Sequence, residues 1–280
     1  RQIAAFRKQG IYMTLSPYWG VPFKVRPDWG VTGGAHENAL ALLFFEPKMQ
    51  AAYKEWLRKL LTVENPYTGI PLAKDPALAI IQIQNEDSLF FWTINNLKGE
   101  ARTLLRTQFS AWLTRRHGSM ASAWKAWENH RLNGDTETRP ELANIWEMTQ
   151  SRSGGFSARL ADQTQFWAET QAAFHKEIGR FLKQDLKCQQ LVNAGNWKTA
   201  NSSRLGDIER WTYLPNEVDA VNRYFDSLHK GPNNGWAVQK GDQYASPSAL
   251  RDPRGLPINL KQTEGRPIMV TESGWVMTQG

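Results

Sequence analysis

The chain has 280 residues, 41% hydrophobic and 22% charged, enough for one large globular domain or two small ones. No apolar run approaches the roughly 20 residues of a membrane span, and a single cysteine, Cys188, excludes an intramolecular disulfide or a cysteine metal cage. The formal charge of +7 is spread in runs of at most two Lys or Arg, so a solvated basic surface explains it better than a nucleic-acid partner.

Gln2-Ile3-Ala4-Ala5-Phe6-Arg7-Lys8-Gln9 reads as the last turns of a helix closed by Gly10. The chain therefore starts inside an element, and its native N-terminus is expected upstream. No targeting segment is legible, and the compartment stays open, with an extracellular or periplasmic place compatible. Ile11-Tyr12-Met13-Thr14-Leu15-Ser16 predicts a strand, with Pro17-Tyr18-Trp19-Gly20 as its exit loop. A loop-rich stretch over 21–46 leads to a helix near 47–61 whose apolar face holds Met49, Tyr53, Trp56, Leu57 and Leu60. Asn65-Pro66-Tyr67-Thr68-Gly69 is a turn cluster, and Asp75-Pro76 leads into the apolar strand Ala79-Ile80-Ile81-Gln82-Ile83-Gln84-Asn85-Glu86.

A long helical block follows over about 99–185, with breaks at Gly118 and Gly154-Gly155. It is too long for one crossover, so part of it reads as an insertion covering one side of a site. Leu191–Trp197 and Val218–Phe225 predict two more strands with their exit loops, and Pro267-Ile268-Met269-Val270-Thr271-Glu272 predicts the last. Helix–strand alternation at these spacings implies an α/β fold with a parallel sheet. Five strands are legible.

Two of the apolar strands end in glutamates, Glu86 and Glu272. A carboxylate at that position points into the crevice above a parallel sheet, where such folds bind ligands. Two facing carboxylates are what glycoside hydrolysis requires. The alternative is a pair of structural carboxylates, each matched to a Lys or Arg. Thirteen tryptophans are many for this length, and Trp56, Trp112 and Trp167 have helical core spacing. Tyr18, Trp19, Trp197 and Trp275 instead follow strands directly, where they would stack on sugar faces or pack at the edge of the core. The histidines, His36, His117, His130, His175 and His229, are scattered without ligand spacing, so no metal site is expected.

Ile83-Gln84-Asn85-Glu86 and Thr271-Glu272-Ser273-Gly274-Trp275 resemble the fourth- and seventh-strand ends of clan A glycoside hydrolases. These are retaining (β/α)8 TIM-barrel enzymes of the cellulase, mannanase and β-galactosidase kind. Phe109–Leu113, His117-Gly118-Ser119, Ala123-Trp124 and Asn65–Gly69 are also similar to bacterial members. The resemblance implies that Glu86 is the general acid/base and Glu272 the nucleophile. It implies that Asn85 binds the sugar 2-hydroxyl and Tyr224 bonds the nucleophile, without metal or organic cofactor. Where many relatives carry His, this chain has Asn222, a candidate sugar ligand or loop cap.

Two barrel strands before Ile11 and an eighth after Glu272 are missing from the pattern. Residues 1–280 are thus expected to be a single partial TIM barrel, with weak or no activity alone. The partner implied is a carbohydrate. An inactive carbohydrate-binding barrel and a metal-dependent barrel isomerase or lyase are the alternatives. Linkage, endo or exo action and oligomeric state are not legible.

Overall fold

The computed structural model describes residues 1–21, 24–222, 228–230, 241, 243–245 and 263–272. Five parallel strands organise it: β1 (Met13–Leu15), β2 (Leu78–Gln82), β3 (Leu191–Asn193), β4 (Asp219–Asn222) and β5 (Ile268–Glu272). β2 lies between β1 and β3, pairing Leu15 with Ile81 and Gln82 with Asn193. β4 pairs with β5, Asp219 against Ile268 and Asn222 against Glu272. A parallel bridge between Asn193 and Val218 joins the two groups. Spatial order thus follows chain order, each crossover returning the chain to the next strand position. The sheet is not closed among the described residues, so they do not form a complete TIM barrel.

The crossovers are helical: α1 (Gln2–Lys8) precedes β1, α2 (Pro47–Thr62) joins β1 to β2, and α3 (Gly99–His117), α4 (Met120–Ala126) and α5 (Gly154–Arg180) lie between β2 and β3. α6 (Ser202–Tyr213) joins β3 to β4. No helix among the described residues is long and apolar enough to cross a membrane.

Helix α2 begins where local chemistry dictates. Glu46 accepts from the Met49 N–H at 2.6 Å, and Pro47 fills the first turn, where its missing donor is harmless. Its buried line is Met49, Tyr53, Leu57 and Leu61. Trp56 lies off that line and is 49% exposed, which corrects its assignment to the core; its indole N–H instead reaches the Pro17 carbonyl at 3.3 Å. Gly118 ends α3 at φ 82°, a left-handed cap. Gly155 does more than break a helix, because a Cβ there would lie 1.9 Å from the Trp127 carbonyl oxygen. Helix α6 is absent from the sequence reading because its buried face, Leu205, Glu209, Thr212 and Tyr213, is half polar.

The core lies between the sheet and helices α2 and α5. Tyr18 meets Tyr53 edge-on at 5.4 Å, Phe44 meets Phe174 at 5.5 Å, and Phe90 meets Trp167 at 6.1 Å. The helices between β2 and β3 carry their own cluster, with Phe109 stacked on Phe166 at 5.1 Å and on Trp127 at 6.1 Å. Beside it Arg159, fully buried, forms a bidentate pair with Asp135 at 2.7 Å. Cys188 is buried, and its burial pushes the thiol up to about 11.

Candidate functional site

The ladder of β2 ends at Gln82, four residues before Glu86, but the chain stays hydrogen-bonded beyond it. Ile83 donates to Asn193 O at 2.9 Å, Gln84 to Ala194 O at 3.3 Å, and Asn85 to Tyr18 O at 2.8 Å. Contrary to the expectation that the strand ends at Glu86, this residue occupies the turn just past it. Its backbone has φ 48°, left-handed geometry that is uncommon for a side-chain-bearing residue and costs free energy. What holds it there is the amide of Asn196, whose Oδ1 accepts the Glu86 N–H at 2.9 Å.

One chain of side chains runs across all five strand ends. Gln82 Nε2 donates to Ser16 Oγ at 3.1 Å and to Asn85 Oδ1 at 3.3 Å, while Asn193 Nδ2 donates to Gln82 Oε1 at 3.3 Å. Asn196 Nδ2 donates to the same Asn85 Oδ1 at 2.7 Å. Asn85 thus has its amide oxygen filled by two donors, leaving its Nδ2 as the group to offer a ligand. Asn222 Nδ2 donates to Glu86 Oε1 at 2.9 Å, and Thr271 Oγ1 donates to Asn222 Oδ1 at 2.7 Å. Asn222 is buried, and its amide serves a carboxyl and a hydroxyl of the protein.

The half-buried Glu86 carboxyl titrates above the usual glutamate range. Burial is the main cause, and the Glu272 carboxylate adds to it; the Asn222 hydrogen bond and Lys198 pull the other way. Glu272 ends β5 directly beside Asn222 in the ladder. The two glutamates and Asn85 are thereby gathered at the C-terminal ends of parallel strands.

The aromatic residues divide. Trp19, 40% exposed, forms a parallel bridge with Asn85. Trp197 is half-buried, edge-on to Phe91 at 4.9 Å with Lys198 Nζ 5.7 Å from its ring centroid. Its buried indole N–H has no partner among the described residues. Tyr18 is only 7% exposed, its hydroxyl 3.4 Å from Ala39 O, so this ring packs in the core instead of offering a stacking face. Of the two places the sequence leaves open for Tyr18, a stacking face and the edge of the core, the ring takes the second, edge-on against Tyr53 of α2. Tyr224 and Trp275 lie outside the described residues.

Sequence reasoning missed Asn196 and Lys198, although both sit in the exit loop already marked by Trp197. It also missed the buried support beneath the site. Glu209 on α6 accepts from Ser88 Oγ at 2.6 Å, Tyr213 Oη at 2.7 Å and Gln171 Nε2 at 3.0 Å. Tyr213 Oη in turn accepts from the Trp197 N–H at 3.3 Å. The loops after β2 and β3 are thus tied to one buried carboxyl. Among the described residues no three His, Cys, Asp or Glu side chains gather as a metal cluster.

No family model matches this chain, and no curated protein matches it. Among solved structures it is similar to that of PfGH50B, at 14% identity over 76% of this chain and 28% of that one, with a TM-score of 0.43. It is also similar to an agarase, AgWH50C, at 14% identity over 79% of this chain and 30% of that one, with a TM-score of 0.48. The chain spans less than a third of the length of either structure.

Proposed function

We propose that this chain carries the catalytic carboxyls of a retaining glycoside hydrolase acting on β-linked poly- or oligosaccharides. The observation that carries the reading is the Glu86–Asn222–Glu272 arrangement. A carboxyl with a raised pKa is bonded to the strand neighbour of a second carboxylate, whose charge it feels. A raised pKa suits a group that must hold a proton near neutral pH.

In this scheme Glu272 attacks the anomeric carbon as Glu86 gives its proton to the departing glycosidic oxygen. The glycosyl ester on Glu272 is then cleaved by a water whose proton returns to Glu86. Asn85 donates from Nδ2 to the sugar 2-hydroxyl. Trp19 and Trp197, with Trp275, would stack on the sugar, and Tyr224 would bond the Glu272 carboxylate; Trp275 and Tyr224 lie outside the described residues. The helices over about 99–185 act as an insertion flanking the cleft, and residues 1–280 belong to one barrel domain.

Glu272→Ala is expected to lose most turnover of aryl β-glycosides and to regain part of it with azide, releasing a glycosyl azide. Glu86→Ala is expected to hit substrates with poor leaving groups hardest. Release of the inverted anomer, followed by NMR, would overturn the retaining scheme, and undiminished turnover by Glu272→Ala would overturn the assignment itself.

A further inference from the structure

Two exposed tryptophans stand next to each other on the insertion side of the cleft. Trp92 opens a short 3-10 turn, Trp92–Asn96, in the segment after Glu86, and Trp146 lies in a one-turn helix, Ile145–Met148, between α4 and α5. Their ring centroids are 6.0 Å apart with planes tilted by 31°, and they are 38% and 53% exposed. Packing does not account for them, since Trp124, Trp127 and Trp167 of the same helical region are buried.

The backbone beneath the pair is locked. Asn95 Nδ2 donates to Asn144 Oδ1 at 3.1 Å, and Asn95 Oδ1 accepts the Ile145 N–H at 3.2 Å. Asn144 Oδ1 also accepts the Trp146 N–H at 2.8 Å, while Ile94 and Ile145 anchor the inner side in the core. Two large rings are therefore kept side by side in water by a reciprocal amide clasp. Preorganisation of that kind lowers the ordering cost of binding.

The pair is also continuous with the candidate cleft. Phe91, the residue before Trp92, packs edge-on against Trp197, and Trp197 follows the Asn196 that holds Glu86. The charges around the pair are engaged within the protein. Glu147 pairs with Arg152 at 2.6 Å, and Arg204 donates to the Gln150 carbonyl at 2.9 Å. Two adjoining indole rings beside amide and guanidinium donors match the C–H face and hydroxyl edge of a pyranose. Two arginines, each with a protein partner, are not the basic patch that an anionic membrane or a nucleic acid requires.

From these features we infer that Trp92 and Trp146 form a glycan-binding platform that holds a β-linked polysaccharide chain as it runs away from the cleft. The inference rests on the hydrolase reading for the nature of the chain and extends it from short glycosides to polymers.

The test is affinity electrophoresis of the full chain through native gels containing an uncharged polymer: barley β-glucan, galactomannan, hydroxyethylcellulose or low-gelling agarose. It is run for the wild type, Trp92→Ala, Trp146→Ala and the double variant. Trp146→Phe keeps an aromatic face, and Trp29→Ala serves as an exposed tryptophan elsewhere. Circular dichroism verifies that each variant is folded. The expected result is retardation by at least one polymer. The apparent Kd should rise at least about fivefold in each alanine variant, the usual effect of truncating an aromatic anchor. Trp146→Phe and Trp29→Ala should bind nearly as the wild type does.

Retardation that survives the double variant would overturn the platform, as would the absence of retardation by every polymer. Either result leaves the hydrolase reading to its own assays. Conversely, retardation lost in the double variant would uphold the platform whether or not the same preparation turns substrate over.

Discussion

Asn222 donates to Glu86 across 136 positions of sequence, at 2.9 Å, while its oxygen is held by Thr271, the residue before Glu272. One buried amide therefore links the segment of one candidate carboxyl to the segment of the other. Because Asn222 is itself the last residue of β4, its orientation is fixed by the ladder to β5 and by its N–H to Asn196 O at 2.7 Å.

That link makes a prediction with a sign. A hydrogen bond to the ionised form lowers a carboxyl's pKa, so its loss raises it. Asn222→Ala should move the basic limb of the pH–rate profile to higher pH, because Glu86 then keeps its proton longer. kcat/KM on aryl β-glycosides should fall by about tenfold to a hundredfold, the worth of a hydrogen bond to a charged group. Lys198→Ala removes a cation that also favours the ionised form, and should shift the limb in the same direction. A downward shift in either variant would contradict this electrostatic account.

Strain at Glu86 is separately measurable. A residue with a Cβ at φ 48° is disfavoured there relative to glycine. Glu86→Gly should be more stable than Glu86→Ala by about 1 kcal/mol, or roughly 2–4 °C in Tm for a domain of this size. Calorimetry of the two variants decides it. Equal melting temperatures would mean that the turn carries no strain.

Beneath the site Asp87 is fully buried. Burial drives its pKa from 3.8 up to about 7, against two backbone hydrogen bonds from Ala41 and Ser88, and the nearby Glu209 charge adds to the rise. Asp87 thus holds a proton in the folded state that the unfolded chain has lost between about pH 4 and pH 7, and its contribution to stability falls as pH rises through that window. Glu209, raised chiefly by its own burial, contributes with the same sign, whereas His175, lowered to about 4 by burial, contributes with the opposite one. Urea unfolding at pH 4.5, 6 and 7.5 should therefore show Asp87→Asn gaining stability relative to the wild type as pH rises, whatever the variant's absolute stability. An unchanged slope would assign the titration elsewhere.

Glu209→Leu should be costly despite similar bulk, since it removes the acceptor of three buried donors, from Ser88, Gln171 and Tyr213. Leaving buried donors unsatisfied costs about 1–3 kcal/mol each, so a loss above about 2 kcal/mol is expected in urea unfolding. A neutral effect would mean that these groups find new partners.

The separation between what was and was not legible follows from range. Glu86 and Glu272 could be singled out because each follows an apolar, β-branched run, a local pattern. The breaks at Gly118 and Gly154-Gly155 were legible for the same reason. Trp56 misled because a side chain one position off the buried line of α2 still looks apolar in a window of sequence. Helix α6 escaped because the groups it buries, Glu209 and Thr212, answer to Gln171 on α5, which no local period reveals.

By itself, then, the sequence determined the order of the five parallel strands, the helices between them apart from α6, and the residues at or just past the strand ends, since propensity, capping and hydrophobic period act over a few neighbours. Only the tertiary structure decided that Asn222 serves Glu86, that Asn85 has just its amide nitrogen to offer, and that Tyr18 belongs to the core. Each of those outcomes depends on hydrogen bonds and packing between segments tens of residues or more apart. Such contacts exist only once parallel strands have been brought side by side and the amides between them have run out of alternative partners.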